Sequence, residues 1–303
     1  MRITNRMVVN NNINNMTDAM DKLYDLQKQS ATHKKYLKAS DNPSNNASVL
    51  TLKSALQTSQ VYEATAQSTK DWMDATDFAL QQAGDITQRA ISAVMRGLSD
   101  TSGADTRKTI AEEIDGMIKE AMDVANTKHL DRYIFSGFTT NTVPFTMGTD
   151  PADPTKDMAI YKTGLPQDFQ AIRRDIGPGE TITVNIDGKT TFEHMINTLI
   201  KTRDALKDNN TTELRVQAAQ LDISLDEVTL ATTINGSRIR ALEAAQDRIS
   251  ESNKEIKALI SQKEEANMAE VTAELANQEN IYQTVITISS RTQSMVNLFE
   301  SLG

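Results

Sequence analysis

Three histidines, two pairs of adjacent glutamates and one run of aspartates are the residues whose chemistry could reach beyond packing. His33, His129 and His194 stand on three different segments, and none has a second histidine at metal-ligand spacing. They read as surface or helix-packing residues. Asp150, Asp153 and Asp157 come nearest to a cation loop, beside Pro151 and Pro154. A calcium loop needs a central glycine and a terminal bidentate glutamate, so this run reads as a solvated acidic loop. Glu112-Glu113 and Glu264-Glu265 lie in helical sequence, where neighbouring side chains diverge by about 100° and cannot act as a carboxylate dyad. Met73, Met95, Met117 and Met295 read as core or interface packing. The chain has no cysteine, hence no disulfide scaffold, thiolate zinc site or thiol nucleophile. It also lacks a phosphate-cradling glycine loop, a dinucleotide fingerprint and a serine nucleophile elbow. The expectation is a non-catalytic structural protein with no catalytic residue, no cofactor and no metal.

What the sequence does specify is helices. Aromatic residues make up 5% of 303 residues, with only 12 Gly and 6 Pro, a composition suited to long helices with narrow apolar stripes. A net charge of -9 without a Lys/Arg-rich surface argues against nucleic acid as a partner. The opening Met1-Arg2-Ile3-Thr4-Asn5 has no apolar run of a secretory signal, and no segment has the ~20 apolar residues of a membrane span. Neither classical secretion nor membrane insertion is expected.

Ile13, Met16, Met20 and Leu23 alternate three and four apart and mark the first helix. Ser40-Asp41-Asn42-Pro43-Ser44 ends it in a turn, and Val49, Leu52 and Leu56 open a second helix running to about Leu98. Ile110, Ile114, Met117 and Ala121 announce a third. Between Phe135 and Phe192 lie five of the six prolines and three strand-like runs, Ala159–Tyr161, Phe169–Ile172 and Thr181–Ile186. Gly177-Pro178-Gly179 and Asp187-Gly188 read as turns beside the last run. Helix resumes from Phe192 to about Leu206. The longest stripe then runs from Leu214 through Leu221, Val228, Asn235, Leu242, Ile249 and Asn253 to Ile260, a heptad pattern that specifies a long helix in a coiled-coil-like bundle. Ile281, Val285, Ile288, Thr292, Met295, Phe299 and Leu302 form the last stripe.

The expected fold is therefore mainly α: an elongated helical hairpin or coiled-coil-like bundle formed by both chain ends, with a small inserted β domain at the tip. The expected division is residues 1–40 with 264–303 as a terminal helical part, 41–137 with 190–263 as a long-helix bundle, and 138–189 as the β insert. Charge supports the pairing of the ends, because residues 1–40 carry a net +4 and residues 264–303 a net -5. Ile13, Met16, Met20 and Leu23 at one end, with Ile281, Val285, Ile288, Met295, Phe299 and Leu302 at the other, are the expected assembly surface.

Several segments together resemble the bacterial flagellin superfamily, and within it the hook–filament junction branch. They are the opening Met1-Arg2-Ile3-Thr4-Asn5, the turn Asp41-Asn42-Pro43, Asn126 with Tyr133-Ile134-Phe135-Ser136-Gly137, Pro144-Phe145, Gly236-Ser237-Arg238, and the segment Glu265 to Glu270. Asn42 stands where the family usually has a second Asp, and Glu265 and Asn267 where Asp-rich versions are commoner. The resemblance implies export through the flagellar type III apparatus without a cleaved signal peptide and a place outside the cell in the flagellum. It also implies self-association in a tubular layer and contacts with the hook-side junction protein, with flagellin and with an export chaperone. A filament subunit is the nearest alternative, and a cytoplasmic coiled-coil scaffold a more distant one. Against the filament subunit stand Phe135-Ser136-Gly137 and the run Leu37 to Ser44.

Overall fold

The computed structural model describes residues 5–100, 102–151, 154–161 and 170–302, with side chains as far as Met295 apart from those of Asn5, Val8 and Gln293. Helices dominate: α1 (Asn5–Thr32), α2 (Pro43–Leu98), α3 (Ala104–Ala125), α4 (His194–Lys207), α5 (Thr211–Glu264) and α6 (Met268–Leu302). Six short strands form three separate antiparallel pairs: β1 (Lys128–His129) with β2 (Arg132–Tyr133), β3 (Phe145–Thr149) with β4 (Asp157–Tyr161), and β5 (Arg173–Gly177) with β6 (Glu180–Thr183). The chain is mainly helical with small antiparallel sheets.

It divides into two compact units, Met1–Thr58 with Glu251–Gly303, and Ser59–Ser250. In the first unit α1 and α6 run antiparallel. Gln278 Nε2 donates to the Ala19 carbonyl at 3.1 Å. At the other end of the pair, the Ala266 N–H donates to the His33 carbonyl and the Lys35 N–H to the Glu264 carbonyl. The turn before α2 is fixed by side chains that replace missing backbone partners. Asp41 Oδ2 accepts the N–H groups of Leu37 and Lys38, and Asn42 Oδ1 accepts the N–H of Asn45 at 3.0 Å. Asn42 is thus the N-cap and Pro43 the first helical residue, where its missing N–H costs nothing. Asn42→Ala should lower stability by about 1 kcal/mol, seen as a lower midpoint in thermal unfolding.

The second unit is built on one core. Met73, Leu80, Ala83 and Ile86 of α2, Ile114 of α3, Leu199 of α4 and Leu221 of α5 are fully buried. The same core takes Phe145, Ala159, Ile176, Ile182, Val184 and Ile186 from the strand-rich segment. Polar ties hold that segment to the helices. Asn197 exchanges hydrogen bonds with the backbone of Ala159, and Arg203, its side chain 9% exposed, meets Asp115, Asp157 and Asp204. Burial alone would lower the pKa of Arg203, but hydrogen bonds to Asp204, Asp115 and Asp157 outweigh it and raise the value. Asp157, expected in a solvated acidic loop, is therefore engaged by Arg203, and Asp153 lies outside the described residues.

Three expectations need correction. Of the run Phe169–Ile172, Phe169 lies outside the described residues and Gln170 to Ile172 form no strand, the Asn185 side chain substituting for a partner strand at Gln170 and Ile172. The ladder consequently ends at Arg173 opposite Thr183, short of the expected Ile186. Asp187-Gly188 starts a helix instead of closing a β-turn. Asp187 Oδ1 accepts the Lys189 N–H, its Oδ2 accepts the Thr190 hydroxyl, and a π-helical turn (Lys189–Glu193) leads into α4. Of the methionines read as core or interface packing, Met73 and Met117 lie in the core, and Met95 and Met295 are 62% and 60% exposed, positions open to an interface.

Candidate assembly interface

The seam between α1 and α6 uses only part of each expected stripe. On α1 the covered positions are Val9, Asn12, Ala19, Leu23, Leu26 and Ser30, and on α6 Val271, Leu275, Gln278, Tyr282, Val285 and Ser289. The α6 set alternates three and four apart, as a two-helix seam requires, and the α1 set does so except for a gap of seven between Asn12 and Ala19, where Met16 is exposed. The rest of the expected surface points away from it. Ile13 and Met20 are each 52% exposed, and Ile281, Ile288 and Met295 are 42%, 55% and 60% exposed. Met16 stands at the seam edge, and the side chains of Phe299 and Leu302 lie outside those described. Among the described residues of this unit, Ala19, Val49 and Val271 are the buried apolar side chains. Against them stand exposed Met7, Tyr24, Leu50, Leu259 and Ile286, besides the five just given. The unit is thus poor in core and rich in outward apolar groups.

A charged clasp closes the seam. Glu264 receives Lys34 Nζ at 2.7 Å and Lys53 Nζ at 2.6 Å, while Asn45 Nδ2 donates to the Lys263 carbonyl. These hydrogen bonds, from Lys34 first and Lys53 second, hold the Glu264 carboxyl below its ordinary pKa. A depressed folded value stabilises the fold above the unfolded pKa, and the gain is lost as pH falls through the folded value. Melting temperature should therefore decline on acidification from about pH 6 to about pH 3, and Glu264→Gln should flatten that part of the profile. Thermal melts of both proteins across this range check it.

Of the residues that carry the family resemblance, Asp41, Asn42 and Pro43 form the turn before α2 in the first unit, and those from Asn126 to Phe145 gather in the second unit as packing. Asn126 bonds both backbone groups of Phe145, donating to its carbonyl and accepting its N–H, each at 3.0 Å. Phe135 lies 4.5 Å from Phe192, ring centre to ring centre, and Phe145 5.1 Å from Tyr161. Tyr161 also donates its hydroxyl to the Phe135 carbonyl. Ser136 is buried and donates to the Tyr133 carbonyl, Gly137 has φ +61°, and Pro144 is buried beside Phe145. Asn126, Tyr133, Phe135, Ser136, Gly137, Pro144 and Phe145 thus shape one aromatic knot.

No catalytic relay emerges from the polar groups that come together. His194 Nδ1 lies 2.9 Å from Glu227 Oε2 and 3.4 Å from Ser224 Oγ, with Nε2 3.2 Å from Gln220 Oε1. A relay needs nucleophile and carboxylate on opposite ring nitrogens, whereas here both crowd Nδ1. The cluster pins α4 to α5. Among the described residues no group of His, Asp and Glu could hold a metal ion, and no helix is long and apolar enough to cross a membrane.

One exposed feature escaped sequence reasoning. The β1–β2 hairpin turns on Leu130 and Asp131, with φ of 47° and 61°, and Leu130 is 84% exposed. Such a two-residue turn normally takes Asn or Gly, and a left-handed leucine costs about 1–2 kcal/mol. Without Gly or Asn in Lys128 to Tyr133, the sequence carried no hairpin signal for it.

Residues 3–140 match the family described as the bacterial flagellin N-terminal helical region. The chain is 22% identical over 306 residues to the flagellar hook-associated protein 3 of Escherichia coli, covering 99% of this chain and 88% of that protein. It is 24% identical over 234 residues to the flagellar hook-associated protein 3 of Salmonella typhimurium, 73% of each chain. Among solved structures, that of Bacillus cereus FlgL shares the fold with a TM-score of 0.59 at 21% identity, over 69% of this chain and 98% of that one.

Proposed function

We infer that this chain, which carries the flagellin N-terminal helical region and whose curated relatives are hook-associated proteins 3, is a structural adaptor subunit of the bacterial flagellum. It forms the junction layer between the hook-side junction protein and the flagellin filament, without catalytic activity. The observation that supports this most directly is the first unit's imbalance, among its described residues, between three buried apolar side chains and many exposed ones, which suits a subunit completed by its neighbours. In this reading residues 1–40 and 264–303 are the assembly part, with Ile13, Met20, Ile281, Ile288 and Met295 on the intermolecular face. Residues 41–137 and 190–263 are the bundle, and 138–189 the β insert. The protein leaves the cell through the flagellar export route, escorted by a chaperone. Against a filament subunit stands the alignment with a hook-associated protein 3 along 99% of this chain.

Gene deletion with immunogold labelling of the restored protein tests the reading. The expected result is normal hooks with flagellin shed into the medium, and on restoration a narrow gold band at the hook end of each filament. Gold along whole filaments would establish a filament subunit instead, and gold confined to the cytoplasm a scaffold.

A further inference from the structure

Two features of the second unit have no part in the function argued above: the Leu130 hairpin and a groove between α2 and α5. We propose that they are two halves of one contact between copies of this chain, with Leu130 of one copy seated in the α2–α5 groove of the next. The proposal rests on the reading of the protein as a self-assembling subunit and assigns it a specific lateral contact.

Leu130 is the most exposed of the large apolar side chains described. It occupies a turn position that favours Asn or Gly, so turn chemistry does not account for it. It also buries little within its own chain. A leucine held there gains only from an apolar surface supplied by another molecule.

The groove has a volume of about 410 Å³, with Gly84 of α2 and Thr229, Thr232 and Gly236 of α5 at its surface over the buried Leu80 and Val228. Packing within the chain does not demand its glycines. A Cβ on Gly84 would come no nearer than 3.9 Å to Val228, and one on Gly236 no nearer than 3.9 Å to Arg240. Glycine inside a helix weakens it, so two glycines with room for a side chain point to a groove kept open for something else.

Charge selects a second copy as the occupant. Asp131 and Arg132 follow the leucine in the hairpin, and Arg240 and Asp77 line the groove, giving one opposite charge for each. The two features are also spaced along α2. The His129 ring meets Trp72 of α2 edge-on at 5.8 Å, and the groove opens on α2 from Asp77 to Gly84, within about two to three helical turns. Joining two different patches makes a heterologous contact, and a small offset lets successive copies follow one another around a ring or shallow helix.

Cysteine cross-linking of the full chain tests this cleanly, because the protein has no cysteine of its own. Leu130→Cys and Thr232→Cys proteins, mixed at high concentration and oxidised, should give a 130–232 disulfide about tenfold more often than Leu130→Cys mixed with Gln88→Cys, whose site lies on another face. Adding Asp131→Arg to the first protein should cut the yield about tenfold, and adding Arg240→Asp to the second should restore it. Equal yields in the two mixtures, or a dominant Leu130→Cys homodimer, would overturn the proposal. The immunogold result does not depend on these sites, so a failed cross-link with a correct gold band removes this contact and leaves the junction reading intact.

Discussion

Ile288→Asp should leave the chain folded and abolish its assembly. Ile288 is 55% exposed and off the α1–α6 seam, so an aspartate there remains hydrated in the monomer. On the face that assembly covers, the same carboxylate loses its water without gaining a partner, at a cost of several kcal/mol per contact. Val285 provides the contrast. It is half-buried in the α1–α6 seam, and Val285→Asp should weaken the monomer itself. Thermal melting measured beside a hook-binding assay separates the two. Near-normal melting with lost binding is expected for Ile288→Asp, and a lowered melting temperature for Val285→Asp. If Ile288→Asp binds hooks normally, its face is not the assembly surface.

The second large effect is expected in the aromatic knot. Phe135 is fully buried against Phe192, and its carbonyl accepts the Tyr161 hydroxyl. Phe135→Ala removes the ring and leaves a cavity that the rigid surroundings fill only in part, at a cost of about 3–5 kcal/mol. Gly188 reports on the same site from the other side. A Cβ there would lie 2.5 Å from the Phe135 carbonyl oxygen and 2.6 Å from its Cβ, so Gly188→Ala forces the backbone at the start of the π-helical turn away from the knot. Chemical denaturation should show both losses, with far-UV circular dichroism retaining the helical signal of the folded protein. A change below about 1 kcal/mol for Phe135→Ala would mean the knot is not part of the cooperative core.

Where one element must meet one partner, the sequence was enough. The heptads from Leu214 to Ile260 place Leu214, Leu221, Val228, Asn235 and Leu242 in the buried line of α5, as read from spacing alone. Pro43 and Leu98 bound α2 where the turn residues and the end of its stripe put them. A local rule explains both: period 3.6 fixes which residues share a face, and Pro, Asn and Asp fix where a helix starts. The strand-rich segment was less legible. Asn185 borrows the role of a strand with its side-chain amide, and Leu130 and Asp131 turn a hairpin without glycine. Neither device leaves a mark in hydrophobic periodicity.

The terminal helices divide the two kinds of information most sharply. By itself the sequence determined that Ile13, Met16, Met20 and Leu23 form one stripe and Ile281, Val285, Ile288 and Met295 another. It also determined that opposite charges would bring the two ends together, as Lys34 and Glu264 do. Only the tertiary structure decided how each stripe is split. Leu23 and Val285 go to the chain's own seam, which is filled out by small or polar Ala19, Gln278 and Ser289, and Ile13, Met20, Ile281 and Ile288 are left facing outward. Periodicity states that apolar side chains lie together on a helix, whereas the body that covers them depends on the shape of the neighbouring helix. Here α1 offers Asn12, Ala19 and Ser30 to its partner, a narrow surface that covers one edge of α6 and leaves the rest of its apolar face open.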